Sequence, residues 1–275
     1  EMPGISVSGT IRTLDLDQWR KIMIQGQASG AAEAFPDITG VDLHLGNLTI
    51  FGRQLADIEL SAKKIDKIWH STVASSDMSG DINWNPSGNG RILARLDKLV
   101  VPTALSTSSP SSSRPAPAVQ ARPQQKAAPA LDVMVNDLIL GNMRLGHLEL
   151  KGAQHEQNWR IEKLRLSSPE SSIVAKGIWH SRAATPRVQA TITLESSDIG
   201  KFLTRLGHPD RVKRGTGKLE GEVSWDGSPL VIDYATMFGT FKLQAEHGQF
   251  PRFEPGIGRL FGFFDLRALP RRVML

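Results

Sequence analysis

Residues 218–272, KLEGEVSWDGSPLVIDYATMFGTFKLQAEHGQFPRFEPGIGRLFGFFDLRALPRR, contain the patterns that decide the fold. Apolar or small residues alternate with polar ones over 218–225 and again over 241–246. Because successive side chains of a strand point to opposite faces, each run predicts a strand with one apolar and one polar face. The Asp-Gly-Ser-Pro cluster at 226–229 predicts a turn. From 255 to 269 the apolar spacing changes to three and four residues, which predicts a helix.

Similar alternating runs occur upstream, and part of the pattern repeats after ninety residues. Asp42, Leu48, Leu55, Glu59, Leu60 and Trp69 match Asp132, Leu138, Leu145, Glu149, Leu150 and Trp159 at this constant offset. A strand that runs from Gly to Trp follows each copy, at 80–84 and 177–179, and a third lies at 221–225. Repetition on this scale predicts units that stack edge to edge.

Several short motifs in the C-terminal part carry a family resemblance. They are Val223-Ser224-Trp225, Tyr234-Ala235-Thr236, Gly248-Gln249-Phe250, Glu254-Pro255-Gly256-Ile257-Gly258-Arg259-Leu260 and Ala268-Leu269-Pro270-Arg271-Arg272, with looser similarity over 9–19 and 48–60. This region resembles the YhdP family, which belongs to the AsmA-like, TamB-related proteins of Gram-negative envelopes. The resemblance implies a long periplasmic protein that is anchored in the inner membrane, is built as a curled β-sheet with an apolar trough, and carries phospholipids between the inner and outer membranes.

Three segments are expected along the chain. Residues 1–102 are predicted to form a first β-groove repeat with a short helix near residues 15–24. Residues 131–275 are predicted to form a second, with helices near 198–206 and 255–269. Residues 103–130 are rich in Pro, Ser, Ala and Gln and lack aromatics, which predicts a disordered linker that leaves the sheet at one rim. The chain does not begin with Met and ends in what resembles a new strand, so we expect a fragment of a longer protein.

The amino-acid composition and the net charge favour some classes of function and argue against others. The 275 residues are 40% hydrophobic and 22% charged, which is sufficient for a folded core. The net charge of +5 is spread along the chain, so it is compatible with anionic lipid head groups and gives little support for nucleic-acid binding. The absence of cysteine excludes disulfides and thiolate metal sites. No apolar run approaches the ~20 residues of a transmembrane helix.

The predicted strands are amphipathic, yet few helices are predicted that could cover their apolar face. That face must be buried against something. A second sheet would close a sandwich, the sheet's own edge would close a barrel, and lipid tails would fill an open trough. With the resemblance, the alternation predicts a mainly β fold: an elongated, curled antiparallel β-sheet with an apolar concave face and a few short helices. The residues expected to line this groove and bind lipid are Leu43, Leu45, Ile58, Leu60, Val133, Val135, Leu148, Leu150, Ile192, Leu194, Val223, Phe241 and Leu243.

The predicted C-terminal helix interleaves aromatic and basic residues. Such a mixture is typical of a segment that lies on an anionic membrane surface. An equally weighted alternative is a helix that plugs the end of the trough. The candidate membrane-interface residues are Phe253, Arg259, Phe261, Phe264, Arg267, Arg271 and Arg272.

Catalytic signatures are missing from the sequence. The seven histidines are scattered, and no Gly-x-Ser-x-Gly nucleophile motif occurs. The six tryptophans fit strand-end core residues better than a set for stacking on a ligand, because large aromatics dominate core packing. We therefore expect no enzyme, no cofactor and no metal.

Two functional hypotheses follow. The first is non-enzymatic binding and transport of phospholipids in the periplasm, with a role in outer membrane biogenesis and its permeability barrier. Phospholipids, a membrane surface and other envelope proteins are the expected partners, and nucleic acid is not. The alternative is a closed β-sandwich that serves as a structural or adaptor module of an envelope protein.

Overall fold

A computed structural model describes residues 4–15, 18, 38–50, 53–101, 128–229 and 233–249. These residues form thirteen β-strands and one short α-helix. The strands are β1 (Ile5–Asp15), β2 (Ile38–Ile50), β3 (Arg53–Ile65), β4 (Ile68–Ala74), β5 (Met78–Asn85), β6 (Arg91–Val101), β7 (Ala130–Leu140), β8 (Met143–His155), β9 (Asn158–Ser167), β10 (Ser171–His180), β11 (Arg187–Ser196), β12 (Thr216–Asp226) and β13 (Phe238–Glu246). The helix, α1 (Ile199–Arg205), lies between β11 and β12.

All thirteen strands belong to one sheet, in which their spatial order is their order in the chain. β1 and β13 are the two edges of this sheet, and they are not paired with each other, so the sheet is open. The predicted fold class, a mainly β, curled sheet with few helices, is confirmed.

The expected antiparallel pairing is wrong at two places, because β1 pairs with β2 and β6 pairs with β7 in parallel. Parallel neighbours require a crossover connection of about a dozen residues or more. Val101 at the end of β6 lies opposite Leu140, whereas Ala130 at the start of β7 lies opposite Arg91. The predicted linker at 103–130 therefore connects the end of β6 to the start of β7, which lie at opposite ends of these two neighbouring strands. It is not an excursion at one rim.

The ninety-residue repeat is retained in the hydrogen-bond register. Leu43 of β2 lies opposite Leu60 of β3, and ninety residues later Val133 of β7 lies opposite Leu150 of β8. The next strands, β4 and β9, each carry a tryptophan as their second residue. The two copies therefore share most of their register within one continuous sheet, although Leu48 lies opposite Leu55 whereas Leu138 lies opposite Gly146.

Helix α1 begins where the Ser-Asp sequence before it predicts. The Asp198 side chain accepts a hydrogen bond from the backbone N–H of Lys201 at 3.0 Å, which satisfies one of the free donors of the first turn. The helix packs on one end of β12, because a Cβ placed on Gly217 would lie 2.8 Å from Ile199 Cδ1.

Two predicted helices lie outside the described residues. Of the helix expected near residues 15–24, only its start is seen, where Asp15 Oδ1 accepts a hydrogen bond from the backbone N–H of Gln18 at 2.9 Å. The helix expected near 255–269 and most of the 103–130 segment also fall outside them. No helix among the described residues is long and apolar enough to cross a membrane.

Candidate functional site

One face of the sheet carries rows of predominantly apolar side chains that continue from strand to strand, and we call it the groove face. Residues that lie directly opposite each other on paired strands share a face, so the rows can be followed from strand to strand. The first row contains Leu43, Leu60, Val73, Gly80, Leu96, Val135, Leu148, Leu166, Ile173, Leu194, Leu219 and Leu243. The row crosses every strand from β2 to β13, and Gly80 is its one residue without a side chain.

A second row lies two residues further along the strands. It contains Val41, Ala62, Ser71, Ile82, Ala94, Val133, Leu150, Leu164, Ala175, Ile192, Gly221 and Phe241. The remaining groove candidates fall on the same face, because Leu45 and Ile58 pair next to Leu43 and Leu60, and Val223 follows Gly221 by two residues. All thirteen residues predicted to line a groove therefore share the groove face.

Groove-face side chains are deeply buried on strands as far apart as β2 and β11, and they are much more exposed at the β13 edge. Val135 is fully buried, Leu45 is 1% exposed and Ile58 is 2% exposed. By contrast, Phe241 is 38% exposed and Leu243 is 55% exposed. The buried side chains form three clusters, which centre on Leu45, Val135 and Val188 and are each bordered by half-buried aliphatic residues. The apolar surface thus continues to an edge where it is not covered.

No second sheet faces the groove face within the described part of the chain. Each strand packs against its neighbours in the sheet, and the main contact with another element is that between helix α1 and β8. A closed sandwich requires a second layer of strands. The thirteen strands do not form one, so of the covers considered for this face, the open trough fits the described residues best.

The opposite face is polar and is crossed by ion pairs between neighbouring strands. Asp132 lies 2.9 Å from Arg95 Nη2 and 3.5 Å from Lys151 Nζ, and Glu149 lies 2.5 Å from Lys163 Nζ. Burial alone would raise the pKa of Asp132, but hydrogen bonds and positive charge from Arg95 and Lys151 lower it below its usual value. The Asp132 carboxylate therefore stays ionised at neutral pH. Charged side chains occupy this face, which leaves the groove face as the apolar one.

The two ends of the strands form two rims of the groove face, and they differ in chemistry. One rim, the helix rim, contains α1, the turn between β9 and β10, and the start of β8. There Arg205 pairs with Glu170 (Nη2 to Oε2, 3.0 Å) and also donates to the backbone carbonyl of Arg144 at 3.1 Å. The hydrogen bond from Arg205 lowers the pKa of Glu170 below its usual value, although burial alone would raise it. This ion pair fixes α1 to the sheet.

The other rim carries five tryptophans, and we call it the tryptophan rim. Each tryptophan lies one residue inside the end of its strand, and these are Trp69, Trp84, Trp159, Trp179 and Trp225. Trp69 lies opposite Trp84, and Trp159 lies opposite Trp179. The sequence favours separate core residues and does not reveal this grouping, because only the register shows which strand ends lie side by side. The sequence signal that could have indicated this rim is that each tryptophan lies at the same short distance from the end of its strand.

The predicted membrane-interface residues Phe253, Arg259, Phe261, Phe264, Arg267, Arg271 and Arg272 lie outside the described residues. Among those that are described, no three histidine or acidic side chains gather as ligands for a metal ion. What the described residues do bring together is a broad apolar surface between the ion-paired helix rim and the tryptophan rim. Such a surface can bind hydrocarbon chains, and this binding requires no catalysed reaction.

A single open sheet with one continuous apolar face defines a β-groove protein. A family model described as YhdP protein matches residues 1–275, and the chain belongs to this family of AsmA-like envelope proteins. No curated protein and no solved structure matches the chain.

Proposed function

We propose that this chain is a section of a non-enzymatic conduit that binds phospholipid acyl chains on its groove face and passes them between the inner and outer membranes. One observation carries the proposal: the rows of apolar side chains run across β2 to β13 without a covering layer in the described residues. A sheet must bury an apolar face against another apolar surface. Acyl chains can provide that surface, because they are flexible and adapt to its shape. Membership of an envelope family supports a location in the periplasm. Anchoring of the whole protein in the inner membrane is a further part of this proposal.

The free energy of lipid transfer favours transient binding of a phospholipid over permanent binding. Each methylene removed from water contributes about 0.8 kcal/mol, so two tails of about sixteen carbons represent some 25 kcal/mol of gross transfer. A lipid that enters from a bilayer leaves surroundings that are equally apolar, so the net change is close to zero. The open groove face therefore allows a lipid to enter and leave without a large barrier from water.

Neighbouring positions on β11 provide a direct test. Ile192 lies on the groove face and is half-buried, whereas Thr191 points to the polar face and is exposed. A photoreactive residue such as p-benzoylphenylalanine at position 192 should crosslink phospholipid in whole envelopes, and the same residue at position 191 should not. Equal labelling at both positions, or none at 192 with the protein folded, would contradict the proposal.

The C-terminal membrane contact and envelope protein partners remain part of the proposal. An interfacial helix would place one end of the conduit against a bilayer, so that lipids enter without crossing water. Removal of the positive charge at Arg259, Arg267, Arg271 and Arg272 should then weaken binding to anionic vesicles.

A further inference from the structure

The five tryptophans of the tryptophan rim differ in how deeply they are buried on the groove face. Trp159 and Trp225 are buried, Trp69 and Trp179 are half-buried, and Trp84 is 46% exposed. Trp159 lies directly over Gly152, where an added Cβ would be 2.3 Å from its ring. The buried rings therefore form part of the groove face itself, whereas the more exposed rings can contact a bound lipid.

Three of the indole rings direct their polar N–H edge away from the apolar rows. The N–H of Trp159 donates to the carbonyl of Pro129, that of Trp179 to Gly227, and that of Trp225 to Ser228, at 2.9 to 3.1 Å. All three acceptors belong to loops beyond the strand ends. Each ring thus presents an apolar body to the groove face and a polar edge to the rim, which is the arrangement that places tryptophan at a boundary between hydrocarbon and water.

The opposite end of the groove face is aliphatic. Its outermost positions on the described strands include Val73, Leu166, Ile173 and Leu194, beyond which lies the ion-paired helix rim. Trp179 and Ile173 are six residues apart on β10, which corresponds to about 20 Å along a strand. The hydrocarbon of one bilayer leaflet is about 15 Å deep, half of a core of about 30 Å. The apolar span below the tryptophans is therefore long enough for one acyl chain.

We propose that a phospholipid lies in the groove with its glycerol and phosphate at the tryptophan rim and its acyl chains directed towards the helix rim. This inference rests on the proposed function and adds the orientation of the bound lipid. In this orientation the tryptophan rings mark the level of the ester groups, and the aliphatic rows receive the tails.

The tryptophans themselves report the orientation. The chain is loaded from phosphatidylcholine vesicles that carry a nitroxide either on the head group or near the methyl end of one acyl chain, and tryptophan fluorescence is recorded after the vesicles are removed. The bound nitroxide is counted by spin resonance. We expect several-fold stronger quenching by the head-group label. Replacement of the most exposed ring, Trp84→Phe, should remove part of that quenching.

A matched variant places a fluorescent reporter at the helix-rim end of the groove face. Leu166→Trp places an indole on the groove face beside the helix rim, and its added fluorescence should be quenched more by the acyl-chain label. Stronger quenching of the native tryptophans by the acyl-chain label would overturn the orientation and leave the proposed function standing. Bound nitroxide without quenching by either label would likewise overturn the orientation. No bound nitroxide in a folded chain would instead contradict the proposed function.

Discussion

Leu150→Asp separates an open groove face from a covered one. Leu150 is half-buried between Val133 and Leu164, its cross-strand neighbours, and water can reach its position in the lipid-free chain. Full burial of a leucine side chain contributes about 1.5–3 kcal/mol, so loss of the half-buried side chain should cost about 1–2 kcal/mol. A carboxylate introduced under a second layer would cost more than about 4 kcal/mol, because it would be buried without a partner.

The matched substitution is Val135→Asp, one row away on β7. Val135 is fully buried, so its replacement should destabilise the fold severely. Urea denaturation of both variants measures the two losses, and phosphate analysis of the purified chains measures bound lipid. We expect Leu150→Asp to remain folded and to lose phospholipid, because an acyl chain would have to lie against the new carboxylate. If Leu150→Asp were as destabilised as Val135→Asp, or if it retained its lipid, the open groove would be refuted.

Two further predictions concern the rims. Because Arg205 lowers the pKa of Glu170, the ion pair stabilises the fold above the usual carboxyl pKa, and this contribution is lost as pH falls through the lowered value. Glu170→Gln should therefore reduce the free energy of unfolding at pH 7 and flatten its decline in acid, as measured by denaturation at several pH values. An unchanged acid slope would contradict this role. Gly152→Val should displace the Trp159 ring and cost about 1–3 kcal/mol, whereas Ala153→Val on the other face should cost less. Equal losses from the two valines would show that the ring does not require this space.

The local features of the fold were predictable from the sequence because they depend on short-range periodicity. Alternation over 218–225 gives β12 and the faces of its side chains. The ninety-residue offset anticipates the matching registers of β2/β3 and β7/β8. The helix after Ser197 follows from its capping residue and apolar stripe.

The remaining features depend on which strands become neighbours. A period of two specifies the faces of a strand but not its partner or direction, so the parallel pairs at β1/β2 and β6/β7 were not predictable from it. The same limit hid the tryptophan rim, since residues as distant as Trp69 and Trp225 are brought to one rim only by the order of the strands.

Native mass spectrometry of the chain purified from Gram-negative envelopes tests the central claim most directly. A groove face without a covering layer should retain phospholipid through a gentle purification, so we predict the mass of the chain together with the mass of one or more phospholipids. Activation in the gas phase should release them intact. A folded chain that is observed only at its own mass, even after incubation with phospholipid vesicles, would contradict the account.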